Sequence, residues 1–292
     1  MSAVIPYSAK KEDLYFPGRS SNFFLNGLPK SEGTLCAEMS RLAYCRQESD
    51  FSFDRQRIET FLARAGKWSC QFVESKGGPN GRGFHCFVAS CVDPAGENLT
   101  VVAIRGTDKD DPSDVADDLD IEPVPWEAKG KVHRGFANAL GQIRSELDKA
   151  LDAVQGKLVY TGHSLGAAMA TLLASVRRPA HLYTFGSPRV GNADFVATLS
   201  DLKSSRYVDC CDVVTRMPPE MVGDYRHLGQ PFFIDRNQKI AFNPTESSML
   251  DDRVCAEERY LAQYAWKFDN VGLRDLADHA PINYVSAVLA AE

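Results

Sequence analysis

No apolar run of about 18 residues occurs in this sequence, which excludes a helical membrane span. Runs of lysine and arginine are also missing. With 33 basic against 39 acidic residues the net charge is -6, so neither nucleic acid nor an anionic membrane is an expected partner. Any lipid contact would have to be apolar and transient. The stretch from Met1 to Lys11 has no apolar core behind a basic start, so no secretory leader is legible. A cytoplasmic location is favoured on that ground, with export by a signal-independent route as the alternative. No Cys/His spacing resembles a zinc site, and no metal or organic cofactor is expected. The eight cysteines fall mostly in apolar contexts, such as Cys86 and Cys91, and the neighbours Cys210 and Cys211 are poorly placed to bridge. Buried free thiols in a reducing compartment are preferred over four disulfides. Internal repeats and low-complexity linkers are absent, and at 44% hydrophobic and 25% charged the chain has the composition of an ordinary globular protein.

What the chain does have is a run from Tyr160 to Gly166 reading Tyr-Thr-Gly-His-Ser-Leu-Gly. Lys157 to Tyr160 has the character of a short strand, and Ala167 to Ala174 continues at helical spacing without proline. A Gly-x-Ser-x-Gly between strand and helix is a nucleophile elbow, a sharp turn that lifts the serine hydroxyl above the sheet. Its glycines keep side chains out of the contact between strand and helix. A tight turn with an incidental serine is the weaker explanation, since both flanks fit.

A serine hydroxyl needs a general base, and the base needs an orienting carboxylate. Following the order Ser, acid, His, the histidines beyond the elbow that can reach a later sheet loop are His227 and His279. His279, in a polar loop before a terminal helix, is favoured; His227 lies in a strand-like run, and His181 opens an apolar strand. For the acid, Asp209 and Asp212 both follow a strand, and Asp212 is favoured because it falls on the loop. Asp278 is disfavoured because neighbouring side chains diverge.

Periodicity predicts helices over 34–46 and 54–65, and strands over 68–74, 83–92 and 99–105, the last two joined as a hairpin. Strands at 158–161, 181–185 and 205–208 then alternate with helices at 136–154, 164–176 and 193–199, which implies a parallel sheet. Short strands at 225–228 and 232–234 and a helix over 280–291 complete the reading. The expected organisation is a single catalytic domain, 1–292, with an extended arm over 1–30.

Together these motifs resemble the class 3 lipases, the fungal-type triacylglycerol lipases and their bacterial relatives. The resemblance rests on Ile104-Arg105-Gly106-Thr107, Val132 to Phe136, Gly162 to Gly166, Thr184 to Asn192, Asp212 with its downstream prolines, and Asp278-His279 before Tyr284. It spans about residues 85 to 285. It implies an α/β-hydrolase fold: a mostly parallel central sheet, helices on both faces and an antiparallel N-terminal part. It also implies Ser164 as nucleophile, Asp212 as orienting acid and His279 as base, with the Thr107 and Leu165 amides as the oxyanion hole. Arg105 and Arg189 are expected to hold loops. The implied activity is hydrolysis of carboxylic esters, as a triacylglycerol lipase or carboxylesterase. Phospholipase A1 activity, a toxin-like lipase effector and a noncatalytic binding protein are the alternatives.

In such lipases a segment after Arg-Gly-Thr forms a greasy lid. Here the lid-like segment, 108–131, begins with eight carboxylates and one lysine between Asp108 and Glu122, leaving no apolar face. Weak interfacial activation and a preference for soluble or short-chain esters are therefore expected. The Asp spacing lacks the glycine of a calcium loop, and a solvated acidic loop is expected instead. A helical insertion is expected at 246–268, either a second cover or a plain packed helix. Trp126 is expected at a substrate rim or as a surface anchor.

Overall fold

The computed structural model describes residues 5–25, 29–49, 51–75, 83–93, 95–107 and 120–292. The acidic stretch 108–119, and with it the first half of the lid-like segment 108–131, lies outside them.

Helices α1 (Lys11–Tyr15), α2 (Glu32–Leu42) and α3 (Arg55–Ala65) precede the sheet. Ser31 and Asp54 cap α2 and α3 by accepting from the amides of Thr34 and Arg57. The N-terminal arm is thus not extended throughout. Strands β1 (Ser69–Glu74), β2 (His85–Val92) and β3 (Asn98–Ile104) form an antiparallel meander. Next come β4 (Pro123–Pro125) and β5 (Lys131–His133), a separate two-stranded ribbon. The alternating part runs α4 (Arg134–Asp152), β6 (Lys157–His163), α5 (Leu165–Val176), β7 (His181–Phe185), α6 (Ala193–Ala197) and β8 (Ser204–Asp209). Strands β9 (Pro231–Ile234) and β10 (Ile240–Phe242) and helices α7 (Glu246–Gln263), α8 (Arg274–Ala277) and α9 (Pro281–Ala290) finish the chain.

The large sheet has the order β1-β2-β3-β6-β7-β8-β9-β10, parallel from β3 to β9 and antiparallel at both ends. The expected strand at 225–228 is not formed. Arg226 makes a single bridge to Gly191, while the Tyr225 hydroxyl donates to Ile121 O at 2.7 Å. That segment ties the β4–β5 ribbon to the sheet instead of extending the sheet.

Because side chains alternate along a strand, β6 feeds two cores. Tyr160 joins Phe136, Leu140, Ile143 and Leu147 of α4 and the buried length of α5. Those α4 residues recur at helical spacing, and each buried side chain contributes about 1.5–3 kcal/mol of transfer free energy. Val159 faces the other way, into a core shared with α2 and α9. α5 is buried over Leu165–Ala174 because its alanines and Gly166 let it lie close between the sheet and α4. Residues 5–8 are tied to the segment around α9 here: Tyr7 donates to Asp278 Oδ1 at 2.8 Å, and Ser8 N donates to Asn283 Oδ1 at 2.8 Å. Asn283 Nδ2 returns a bond to Ser8 O at 2.9 Å, and Ser286 Oγ donates to Ile5 O.

Helix α7 buries Ala256 and Tyr260 but leaves Leu250, Val254 and Leu261 exposed, with Trp266 and Phe268 exposed just after it. Trp126 is half-buried against the core beside α5, its Nε1 donating to Ser175 Oγ at 2.8 Å.

Candidate active site

The elbow is built by close backbone approach. A Cβ on Gly162 would fall 2.4 Å from the Gly166 backbone, and one on Gly166 would fall 2.1 Å from Ile104 O. Larger residues would push α5 off the strand ends. Between them Ser164 takes φ 58° and ψ -129°, a strained conformation for a residue with a side chain. Its amide is pinned to Phe185 O at 3.0 Å. Gly166 therefore sets the first turn of α5, whose amides have no partner within the helix, against Ile104 and Arg105, just ahead of Thr107.

His279 lies between α8 and α9. Its Nδ1 is 3.0 and 2.9 Å from the two oxygens of Asp212, and its Nε2 is 2.9 Å from Ser164 Oγ. With the proton on Nδ1 facing the carboxylate, Nε2 is left to accept from the serine. Asp212 also receives the Val214 amide at 2.9 Å and the Tyr284 hydroxyl at 2.5 Å. Ser164, Asp212 and His279 are all buried. Gly186, at φ +59°, closes the group: a Cβ there would meet Asp212 Oδ2 at 2.9 Å and His279 Cε1 at 3.2 Å.

The other candidates are occupied elsewhere. Asp209 is buried, accepts the Cys210 amide at 2.8 Å and makes no contact with His279. Burial, and then the charge of Asp278, push its carboxyl well above the usual range. Asp278 turns from the active site to Arg274, at 3.2 and 3.1 Å, and to Tyr7. His227 Nε2 lies 2.7 Å from Thr215 O, and His181 Nε2 lies 3.0 Å from Ser205 Oγ. Arg105 donates to Phe51 O at 2.9 Å and Arg189 to Pro218 O at 2.9 Å, so both hold loops. All eight cysteines are free. Among the described residues, Cys210, Cys211 and Asp278 bring donor atoms within 4.8 Å of one another, but Arg274 already occupies that carboxylate.

Two neighbours of the serine and histidine were not singled out in the sequence. His163, at the end of β6, lies with its ring centroid 4.5 Å from that of His279 and its Nδ1 2.8 Å from the Tyr44 hydroxyl. The alternation Val159, Thr161, His163 is the signal that aims it toward α2 and α9. Tyr44 follows α2, and nothing in its local sequence points to the elbow.

Residues 101–222 match the family model described as Lipase (class 3). A secreted mono- and diacylglycerol lipase of Fusarium solani is 28% identical over 218 residues, covering 62% of this chain and 64% of that protein. A triacylglycerol lipase of Ricinus communis is 25% identical over 351 residues, covering 89% of this chain and 66% of that protein. The chain thus spans just under two thirds of each of these relatives. Among solved structures, the lipase from Rhizopus microsporus var. chinensis superposes with a TM-score of 0.55 at 22% identity, covering 71% of this chain and 76% of that one. This likeness concerns the fold. The expected cytoplasmic location does not stand, because a relative carrying the same module is a secreted protein. Among the described residues no helix is long and apolar enough to cross a membrane. The elbow, the converging Ser164, His279 and Asp212, and these matches agree: residues 101–222 are similar to the class 3 lipases, and the chain has an α/β-hydrolase fold.

Proposed function

We propose that this protein hydrolyses carboxylic esters through an acyl-enzyme on Ser164, with residues 1–292 acting as one catalytic domain. The observation that carries this reading is the pair of contacts through His279, 2.9 Å from Ser164 Oγ on one side and 2.9 Å from Asp212 Oδ2 on the other. His279 takes the serine proton as Oγ attacks the ester carbonyl, and Asp212 stabilises the imidazolium that forms. The Thr107 and Leu165 amides receive the oxyanion, and losing one such donor costs on the order of a hundredfold in rate. His279 then protonates the departing alkoxide. Water, activated by the same imidazole, releases the acid and restores the serine.

Acylglycerols are the proposed substrates, as in the relatives named for mono-, di- and triacylglycerol hydrolysis. The carboxylates of the 108–122 segment favour soluble or short-chain esters and weak activation at an oil surface. Turnover of p-nitrophenyl esters from acetyl to palmitoyl, beside emulsified triacylglycerol, tests both points. Turnover should peak at short acyl chains and fall by about a million-fold in Ser164→Ala, as in a comparable triad. A sharp rise in rate at emulsion formation would overturn the substrate preference. Turnover that survives Ser164→Ala would overturn the mechanism.

A further inference from the structure

Beneath the base of this reading lies a second imidazole. His163 ends β6 immediately before Ser164 and is 2% exposed. Its ring packs against His279 with the planes 41° apart, and Tyr284 meets it edge-on at 5.7 Å. A Cβ built on Gly186 would fall 3.2 Å from His163 Nε2, 3.2 Å from His279 Cε1 and 2.9 Å from Asp212 Oδ2. The far edge of His163 therefore converges with the His279–Asp212 contact on one backbone position. Its near edge is held by Tyr44, whose hydroxyl is 2.8 Å from Nδ1.

Tyr44 has a second neighbour that gives this contact direction. A Cβ on Gly106 would fall 2.1 Å from the Tyr44 hydroxyl and 2.8 Å from His163 O. The hydroxyl thus lies on the backbone just before Thr107, the residue assigned to the oxyanion hole. One tyrosine thereby touches both the strand that presents the serine and the segment that presents the oxyanion donor.

We propose that His163 is a positioning residue for ester hydrolysis, a ring clamped by Tyr44 that fixes the plane of His279 between Ser164 and Asp212. The proposal rests on the hydrolase reading above. The titratable groups around His163 are Tyr44 after α2, Asp212 after β8, His279 before α9 and Tyr284 within α9. Burial, and then the charge of His279, hold His163 well below the ordinary histidine range, so it does not compete for the serine proton.

The test is a double-mutant cycle of Tyr44→Phe and His163→Asn, followed on a soluble p-nitrophenyl ester with Ser164→Ala as the blank. If Tyr44 acts through His163, Tyr44→Phe lowers kcat about tenfold in the parent, the equivalent of one hydrogen bond, and has no further effect on His163→Asn. KM stays within about twofold in each variant, because the group orients the base and does not bind substrate. Additive losses, kcat falling only in step with Tm, or a change confined to KM would each overturn the proposal. Tyr44→Phe alone, read by kcat and KM beside Tm, decides it if His163→Asn does not fold. A parent without Ser164-dependent turnover overturns the hydrolase reading and this one with it; dependent turnover with additive losses overturns this one alone.

Discussion

The Tyr284 hydroxyl donates to Asp212 Oδ2 at 2.5 Å while accepting from the Asp209 amide at 3.1 Å, joining the terminal helix to the loop after β8. Burial and the charge of Asp212 push the Tyr284 hydroxyl well above its ordinary range, so it remains a donor at any pH where the fold persists. Tyr284→Phe deletes that bond and keeps the ring. A hydrogen bond to a charged group contributes about 1.5–3 kcal/mol, so kcat should fall at least about tenfold with KM little changed. Steady-state kinetics on a soluble ester would check this, and unchanged kcat would remove Tyr284 from the active-site network.

Asp209 and Asp212 should separate cleanly. Asp212→Asn exchanges an acceptor for an amide opposite His279 Nδ1 and should lower kcat by on the order of ten-thousandfold, as the equivalent change does in a protease triad. Asp209→Asn replaces a carboxyl whose raised range already favours the neutral form, and activity should stay within a few-fold. The reverse pattern would exchange their roles.

Gly186→Ala introduces one methyl group where Asp212 Oδ2, His163 Nε2 and His279 Cε1 converge, at a positive φ. The folded protein should lose at least about a hundredfold in kcat, since displacements near 1 Å cost that much. Circular dichroism beside kinetics distinguishes this from unfolding; full activity would show that the loop yields.

His133 predicts a pH effect on stability. Stacked on Phe136 at 3.8 Å and buried, it is lowered to about 4. The unfolded chain takes up this proton near pH 6.5 and the folded chain only near pH 4, so stability drains away as pH falls through that window. The loss amounts to roughly 3 kcal/mol at the acid end. His133→Phe keeps the stack and removes the proton, so its Tm should drop less than the parent's between pH 7 and pH 4. Parallel Tm curves would contradict the buried neutral state.

The fold and its central contacts were largely legible because the chemistry there is local. The elbow announces itself in consecutive residues, and Asp212 and His279 follow from which loops can reach it. Elements that depend on remote partners were not legible. Pro123 and Pro125 argue against a strand, yet β4 forms because it is an edge whose prolines lack nothing the ribbon needs. Tyr225 to Leu228 has strand-like composition, but Tyr225 bonds to Ile121 and only Arg226 is bridged. Tyr44 is illegible for the same reason, its partner His163 being 119 positions away.

The bonds from residues 5–8 to Asp278 and to the helix after His279 have a consequence for biosynthesis. Tyr7, Ser8 and Ile5 find their partners 271 to 281 positions downstream. A nascent chain carries the serine elbow long before His279, and residues 5–8 must wait for α9 to leave the ribosome. On the proposed mechanism, ester hydrolysis is expected to begin only once residues 5–8 have met the segment around His279.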